Sequence, residues 1–241
     1  MRVDVVLTAE RLEPASVSGT SALVIDVLRA STTIVSALTH GCRAIVPVAD
    51  AGEARRRARA YPGEVPLLAG ERRGETIDGF DLGNSPIEVG SPKIRGRTVL
   101  LTTSNGTRAL LAARPAAAIG VAGFVNLAAA AAWAAAQRLP VTLVCAGERG
   151  AASLEDSVCA GMLARRLREA SPRGTLTDAA HEAVSMAERY EKDLGQLGED
   201  SPWARHLIRT GRARDVEMCL SRDISALVPV YRPDVDEIVG R

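Results

Sequence analysis

The sequence predicts an α/β fold, a largely parallel sheet flanked by helices, on three observations. Short continuous apolar runs alternate with stretches of helical periodicity. The runs end in small or polar residues, as strands covered on both faces by helices do. Several helical stretches begin on Ser, Asp or Asn, where an N-cap belongs. With 241 residues the chain can bury a full core, and a single domain over residues 1–241 is expected.

The predicted strands are SALVIDV (21–27), AIVPVA (44–49), TVLLTT (98–103), AAIGVAG (117–123) and VTLVCAG (141–147). The predicted helices cover 31–41, 50–61, 105–114, the alanine-rich stretch 126–139, and 153–170. Because strands and helices alternate, functional groups belong where strands end and helices begin. A weak internal repeat aligns Thr33 with Thr107 and the run 44–49 with 118–123. Two such βαβ units would place two hydroxyl-rich loops side by side, although any two βαβ units align about this well. Residues 67–96 are so rich in Gly, Pro, Asn and Asp that they read as a long ordered loop. Beyond 171, two or three helical stretches are expected, and the terminal RPDVDEIVGR reads as surface.

The 30 basic and 29 acidic residues leave a net charge of +1, so no global field marks the chain for nucleic acid or an anionic membrane. Cys42, Cys145, Cys159 and Cys219 form no CxxC pair, which argues against a zinc site and a disulfide framework and for a reducing cytoplasm. No apolar stretch is long enough for a convincing membrane span.

Three polar loops are candidates for one site. IDVLRAST places Asp26 near a strand end, Arg29 three residues on, and Ser31, Thr32 and Thr33 at a helix start. Amides and hydroxyls at a helix start bind phosphate or carboxylate oxygens, and an arginine adds bidentate pairing. The plainer reading is an N-cap beside a surface arginine. TTSNGTRAL crowds Thr102, Thr103, Ser104, Asn105 and Thr107 around Gly106, more hydrogen-bonding groups than capping needs. GERGAASLED brings Glu148, Arg149, Glu155 and Asp156 to a helix start, where acids also favour the dipole. With Asp26 and Glu71 these acids supply enough oxygen ligands for Mg²⁺. There is no GxxxxGK[ST], no GxGxxG after a strand and no GxSxG elbow. Cys145, at a strand end with Arg149 four residues on, is either a nucleophile or a small packed residue.

Four segments in order, VIDVLRASTTIV, GERRGETIDGFDLGNSP, LTTSNGTRAL and CAGERGAASLEDSVCAGML, with the tail DVEMCLSRD, resemble the 2-phosphosulfolactate phosphatase family of coenzyme M biosynthesis. The resemblance spans about residues 3–232 and implies a family-specific α/β fold. It also implies a cytoplasmic, Mg²⁺-dependent hydrolase converting 2-phospho-3-sulfolactate, or a related phosphorylated 2-hydroxy acid, to 3-sulfolactate and phosphate. The motif positions it marks are Asp26, Arg29, Ser31, Thr32, Glu71, Gly83, Asn84, Ser85, Thr103, Ser104, Asn105, Gly106, Thr107, Cys145, Gly147 and Asp156. On this basis Asp26, Glu71 and Asp156 are expected to gather the metal. Asp26, Arg29 and Asp156 are the expected catalytic groups, and the remaining loop residues, with Gly147 and Arg149, the substrate contacts. Water or a carboxylate attacks phosphorus. The alternative is a non-catalytic binding protein for an organic phosphate or sulfonate. A homodimer is expected, through the alanine-rich helix or the C-terminal helices.

Overall fold

The computed structural model describes residues 1–241. Its elements are β1 (Arg2–Val6), α1 (Pro14–Val17), β2 (Ser21–Ile25), α2 (Ala30–Thr39), β3 (Ala44–Pro47), α3 (Ala51–Arg59), β4 (Leu67–Arg72) and β5 (Glu75–Thr76), then β6 (Thr98–Thr102), α4 (Gly106–Ala112), β7 (Ala118–Ala122), α5 (Leu127–Ala136), β8 (Val141–Cys145) and α6 (Leu154–Ala170). The chain closes with β9 (Thr175–Leu176), α7 (Asp178–Glu188), α8 (Gln196–Asp200), α9 (Pro202–Arg209), α10 (Ala213–Cys219), β10 (Pro229–Arg232) and β11 (Glu237–Gly240). All five expected strands and all five expected helices are present. Every residue of β2, β3, β6 and β8 is buried, which is why these runs are apolar without alternation. Asp50 caps α3 by accepting from the Glu53 amide at 2.8 Å, and Ser153 caps α6 by accepting from the Asp156 amide at 3.4 Å. No helix is long and apolar enough to cross a membrane.

The eleven strands form one mixed sheet in the order β5-β4-β6-β3-β11-β10-β7-β2-β8-β1-β9. β4, β6 and β3 are mutually parallel, as are β7, β2, β8, β1 and β9. Between these sets lies the antiparallel hairpin β10–β11, which pairs antiparallel to β7 on one side and to β3 on the other. Three antiparallel steps in succession reverse the sense, so the two parallel sets run in opposite directions.

From β4 to β8 the sheet reads the same from either end, with β2 exchanging for β6, β3 for β7 and β4 for β8. Residues 21–72 and 98–145 are therefore two copies of one β-α-β-α-β unit, larger than the βαβ repeat visible in the sequence. Strand twist accumulates to roughly 100° over the five steps from β6 to β2, enough to turn the C-terminal ends of the two sets towards each other. They do meet. A Cβ placed on Gly106, at the start of α4, would lie 2.6 Å from the Ala30 Cβ at the start of α2. The two helices share one core with Val24, Ile45, Val99, Ile119 and Tyr231, while α5, α6 and α7 build a second core with Leu23, Ile25 and Leu143.

Two expectations are corrected. Residues 67–96 are not only loop: Leu67–Arg72 is a strand paired in parallel with β6, and Glu75–Thr76 folds back on it. The terminal segment is not surface: it supplies β11, whose Ile238 is fully buried beside Ile45 at the centre of the sheet. The alanine-rich helix packs one face within the chain, where Leu127, Ala130 and Ala134 are buried and Trp133 covers Gly120.

The hairpin is fastened to both units by one carboxylate. Asp236 accepts from the buried Tyr231 hydroxyl at 2.6 Å, from Arg114 after α4 at 2.6 Å, and from Arg57 of α3 at 2.6 Å. Asp236→Ala is expected to destabilise the fold by about 1–3 kcal/mol, because it strips a buried hydroxyl and two guanidinium groups of their acceptor. Urea unfolding checks this as a lower midpoint at unchanged slope.

Candidate active site

Four strand ends, β2 and β8 from one set and β4 and β6 from the other, converge on a cavity of about 410 Å³. Its wall carries Asp26, Glu71 and Glu148, and five arginines, Arg29, Arg72, Arg73, Arg108 and Arg149. Asn84, Thr103, Ser104, Asn105 and Trp203 complete the polar lining used below. A smaller recess beside it is lined by Asp26, Asn105, Gly147, Glu148, Glu155 and Asp156. The acids thus crowd the β2–β8 side, with Arg29 and Arg149, while Arg72, Arg73 and Arg108 come from the β4–β6 side.

Two buried carboxylates position the loops. Glu71 accepts from the Ser104 amide at 2.7 Å and the Gly74 amide at 2.7 Å, and also from the Ser104 hydroxyl at 3.2 Å. Asp156 accepts from the Val27 amide at 2.8 Å and the Gly147 amide at 3.1 Å. Each acid therefore ties the loop after an outer strand, β4 or β8, to the loop after its neighbour, β6 or β2. The sequence marks the same correspondence, because Ala-Gly-Glu-Arg occurs both at 69–72 and at 146–149. Gly147 lies at φ +68, a conformation in which any side chain is strained, and the Asp156 clamp depends on that turn.

Asp26 is held differently. Its Oδ1 accepts from the Ala30 amide at 3.1 Å, and its own amide donates to the Ser31 hydroxyl at 2.9 Å. Its Oδ2 faces Gly106, where an added Cβ would lie 2.6 Å away. Burial first, then the Asp156 charge, raises the Asp26 carboxyl to about 8. Burial and the Glu155 charge raise Asp156 to about 7, and burial likewise raises Glu155 to about 7.

Arg29 is buried and donates to Asp215 at 2.6 Å and to the Gly74 carbonyl at 3.0 Å. Asp215, on α10, also accepts from the Ser85 hydroxyl at 2.6 Å. Trp203, on α9, donates to the Leu28 carbonyl at 3.0 Å. The C-terminal helices are in this way bonded to the first loop of the site.

Of the expected site residues, the structure brings Asp26, Arg29, Glu71, Asn84, Thr103, Ser104, Asn105 and Arg149 to the main cavity, and Gly147 and Asp156 to the recess. It does not bring Ser31, Thr32, Ser85, Gly106 or Thr107 to either. Their groups are used internally: Thr32 donates to the Val27 carbonyl at 3.4 Å, and Thr107 and Thr103 bond each other's amides at 3.1 Å. Gly106 is instead the close-packing point of α2 and α4. Cys145 is fully buried, and burial, with the Asp156 charge next, pushes its thiol well above the ordinary range. Cys145 lines neither cavity and packs among Val158, Cys159 and Leu163 in the core, the surroundings of a small packed residue rather than of an exposed thiolate. Sequence reasoning did not name Arg108, Trp203 or Asp215, and marked Arg72 and Arg73 only as part of the arginine-bearing 67–96 segment; the repeated Ala-Gly-Glu-Arg is the signal that singles out Arg72.

The donor set fits Mg²⁺ in one form and not in another. No group of three His, Cys, Asp or Glu side chains converges with metal-binding geometry, so the three-acid set Asp26, Glu71 and Asp156 is not assembled as a cage. The reason is that Glu71 and Asp156 spend both oxygens on backbone amides. Mg²⁺ commonly takes only one or two carboxylates plus water and phosphate oxygens. Asp26, with one oxygen free of amides and a carboxyl raised by burial and then by its acidic neighbours, fits that mode.

Fold and site define an α/β protein with an arginine-rich, polar cavity at convergent strand ends. The family model described as 2-phosphosulpholactate phosphatase matches residues 6–234, and the chain belongs to that family. It is similar to three proteins, each named "Probable 2-phosphosulfolactate phosphatase". The one from Parasynechococcus marenigrum is 40% identical over 91% of this chain and 92% of its own. The Thermotoga maritima protein is 39% identical over 87% of this chain and 88% of its own, and that of Clostridium acetobutylicum 33% identical over 96% and 97%.

Gly106→Ala is expected to lower stability by about 1–3 kcal/mol, since the new methyl collides with Ala30 and Asp26. Chemical denaturation measures it. The raised carboxyls also set a pH dependence. A folded-state pKa above the unfolded value favours the fold at low pH and loses that contribution as pH rises through the folded value. Without divalent cations, stability should therefore fall from about pH 5 to pH 8, and Asp26→Asn should flatten the fall. Thermal melts across that range read both.

Proposed function

We propose that the chain is a Mg²⁺-dependent phosphatase that hydrolyses 2-phospho-3-sulfolactate, or a related phosphorylated 2-hydroxy acid, to 3-sulfolactate and phosphate. Membership of the family and the names of the relatives support the reading. The observation that carries it is the set of five arginines around one cavity whose acids and amides also converge there. A small molecule bearing a phosphate, a sulfonate and a carboxylate needs that density of cationic donors. We include a role in coenzyme M biosynthesis, a homodimeric state and a cytoplasmic location in the same reading; analytical ultracentrifugation tests the second.

Bound Mg²⁺ would supply charge neutralisation at a phosphate oxygen and at the crowded acids. Asp26 Oδ2 is the oxygen left for the metal, the phosphate or an attacking water, because the Glu71 and Asp156 oxygens are engaged by amides. Arg29, fixed by Asp215, presents its remaining N–H groups to the anion at one position. Asn105, just before α4, lines the cavity beside Asp26 and offers its side-chain amide to the anion. Glu71 and Asp156 act by holding the loops; their role is positional.

Phosphate release from a panel of phosphorylated 2-hydroxy acids, with and without Mg²⁺, tests the reading. Release that requires Mg²⁺ is expected, with 2-phospho-3-sulfolactate the best substrate. Asp26→Asn should reduce turnover by at least about 100-fold while the circular dichroism spectrum stays that of the wild type. Tight binding of the phosphoesters with no release of phosphate would favour a binding protein instead.

A further inference from the structure

The two Ala-Gly-Glu-Arg turns are equivalent in the fold, yet they face different chemistry. The turn after β8 carries Glu148 and Arg149 beside Asp26, Glu155 and Asp156. The turn after β4 carries Arg72, Arg73 and Gly74 on the side where the only acid lining the cavity is Glu71, and its oxygens are spent on the Ser104 and Gly74 amides. A phosphoryl group undergoing transfer, with its cation, belongs beside the free carboxylate. A sulfonate is a weakly basic monoanion and a poor metal ligand, so it is best held by guanidinium and amide groups away from acids.

The arginines on the β4 side are not equivalent. Arg72 donates to the Glu71 carbonyl at 2.7 Å and to the Thr102 hydroxyl at 3.0 Å. Arg29 is bound to Asp215 and the Gly74 carbonyl, and Arg108 to Glu10. Arg73 lines the cavity with its guanidinium engaged by no carboxylate or carbonyl of the chain. Its backbone lies at φ 56, on a turn pinned at both ends by Glu71. That turn presents a free cation from a rigid base. Across the cavity wall, Asn84 is buried, and its Oδ1 has no hydrogen-bond partner, so a polar amide is left for a ligand.

We infer that Arg73 is the specificity determinant of the site, binding the non-reacting sulfonate of the substrate while the phosphate lies at the β2–β8 side by Asp26 and Arg149. This rests on the phosphosulfolactate reading above. It assigns the two symmetry-related arginine turns to the two ends of one substrate.

The test variant is Arg73→Asn, because Asn removes the charge and tolerates positive φ. Buffer-only melts of the variant and the wild type should coincide. The first measurement is the ratio of kcat/KM for 2-phospho-3-sulfolactate to that for 2-phospholactate, which lacks the sulfonate. Arg73→Asn should lower this ratio roughly 10- to 100-fold, the loss of one charge-assisted interaction. Arg149→Asn should lower both values together and leave the ratio near that of the wild type. The second measurement is the thermal stabilisation given by 3-sulfolactate and by lactate, which needs no turnover. The wild type should be stabilised by 3-sulfolactate only, and Arg73→Asn by neither. An unchanged ratio overturns the assignment, as does equal stabilisation of variant and wild type by 3-sulfolactate, or its absence in the wild type. Phosphate release from neither ester would count against the proposed activity, and the stabilisation measurement would then decide the role of Arg73 alone.

Discussion

Everything at the site depends on two buried carboxylates that accept backbone amides across loop boundaries. Glu71 joins the turn after β4 to the loop after β6, and Asp156 joins the turn after β8 to the loop after β2. A buried carboxylate is tolerated only when its oxygens are well satisfied, and here the satisfying donors are the amides of the loops that must be positioned. Removing either acid leaves two amides without an acceptor and frees two loops at once. Burial first, and then the crowding of acids, raises Asp26 and Asp156. The site is thus held in a state that favours added positive charge.

The fold makes this arrangement possible by duplication. Two β-α-β-α-β units of opposite sense are joined through a hairpin supplied by the chain's last residues. Without that hairpin, β3 and β7 would each lose a neighbour at the middle of the sheet. Its fastening by Asp236 to Arg57 of the first unit and Arg114 of the second explains why a charged, proline-containing tail is part of the core architecture. Duplication also supplies two arginine turns at comparable positions, whose surroundings have diverged into an acid-rich and an acid-poor side.

Much of this could be read from the chain, and the failures have physical causes. Asp26, Arg29 and the 103–105 loop were identified because fully buried parallel strands announce themselves as unbroken apolar runs, and their ends follow. Ser31, Thr32 and Thr107 misled because a hydroxyl turned to its own backbone and one turned to a cavity have the same sequence. Strand β4 was hidden by Gly70 and the charged residues that follow it, and β10 and β11 by strands of four residues. Their place in the sheet is fixed by pairing partners far away in sequence. The Arg29–Asp215 pair spans 186 residues, a separation over which no local pattern carries information. The repeated Ala-Gly-Glu-Arg was visible all along, but only the sheet order gives it meaning.

A crystal structure of the chain with Mg²⁺, orthophosphate and 3-sulfolactate tests the account most directly. Phosphate is expected against Asp26 Oδ2 and Asn105, and the sulfonate against Arg73 in the same cavity, with Glu71 and Asp156 still bonded to their amides. Anions bound outside this cavity, or Glu71 and Asp156 released from the loops to form a three-carboxylate metal cage, would contradict it.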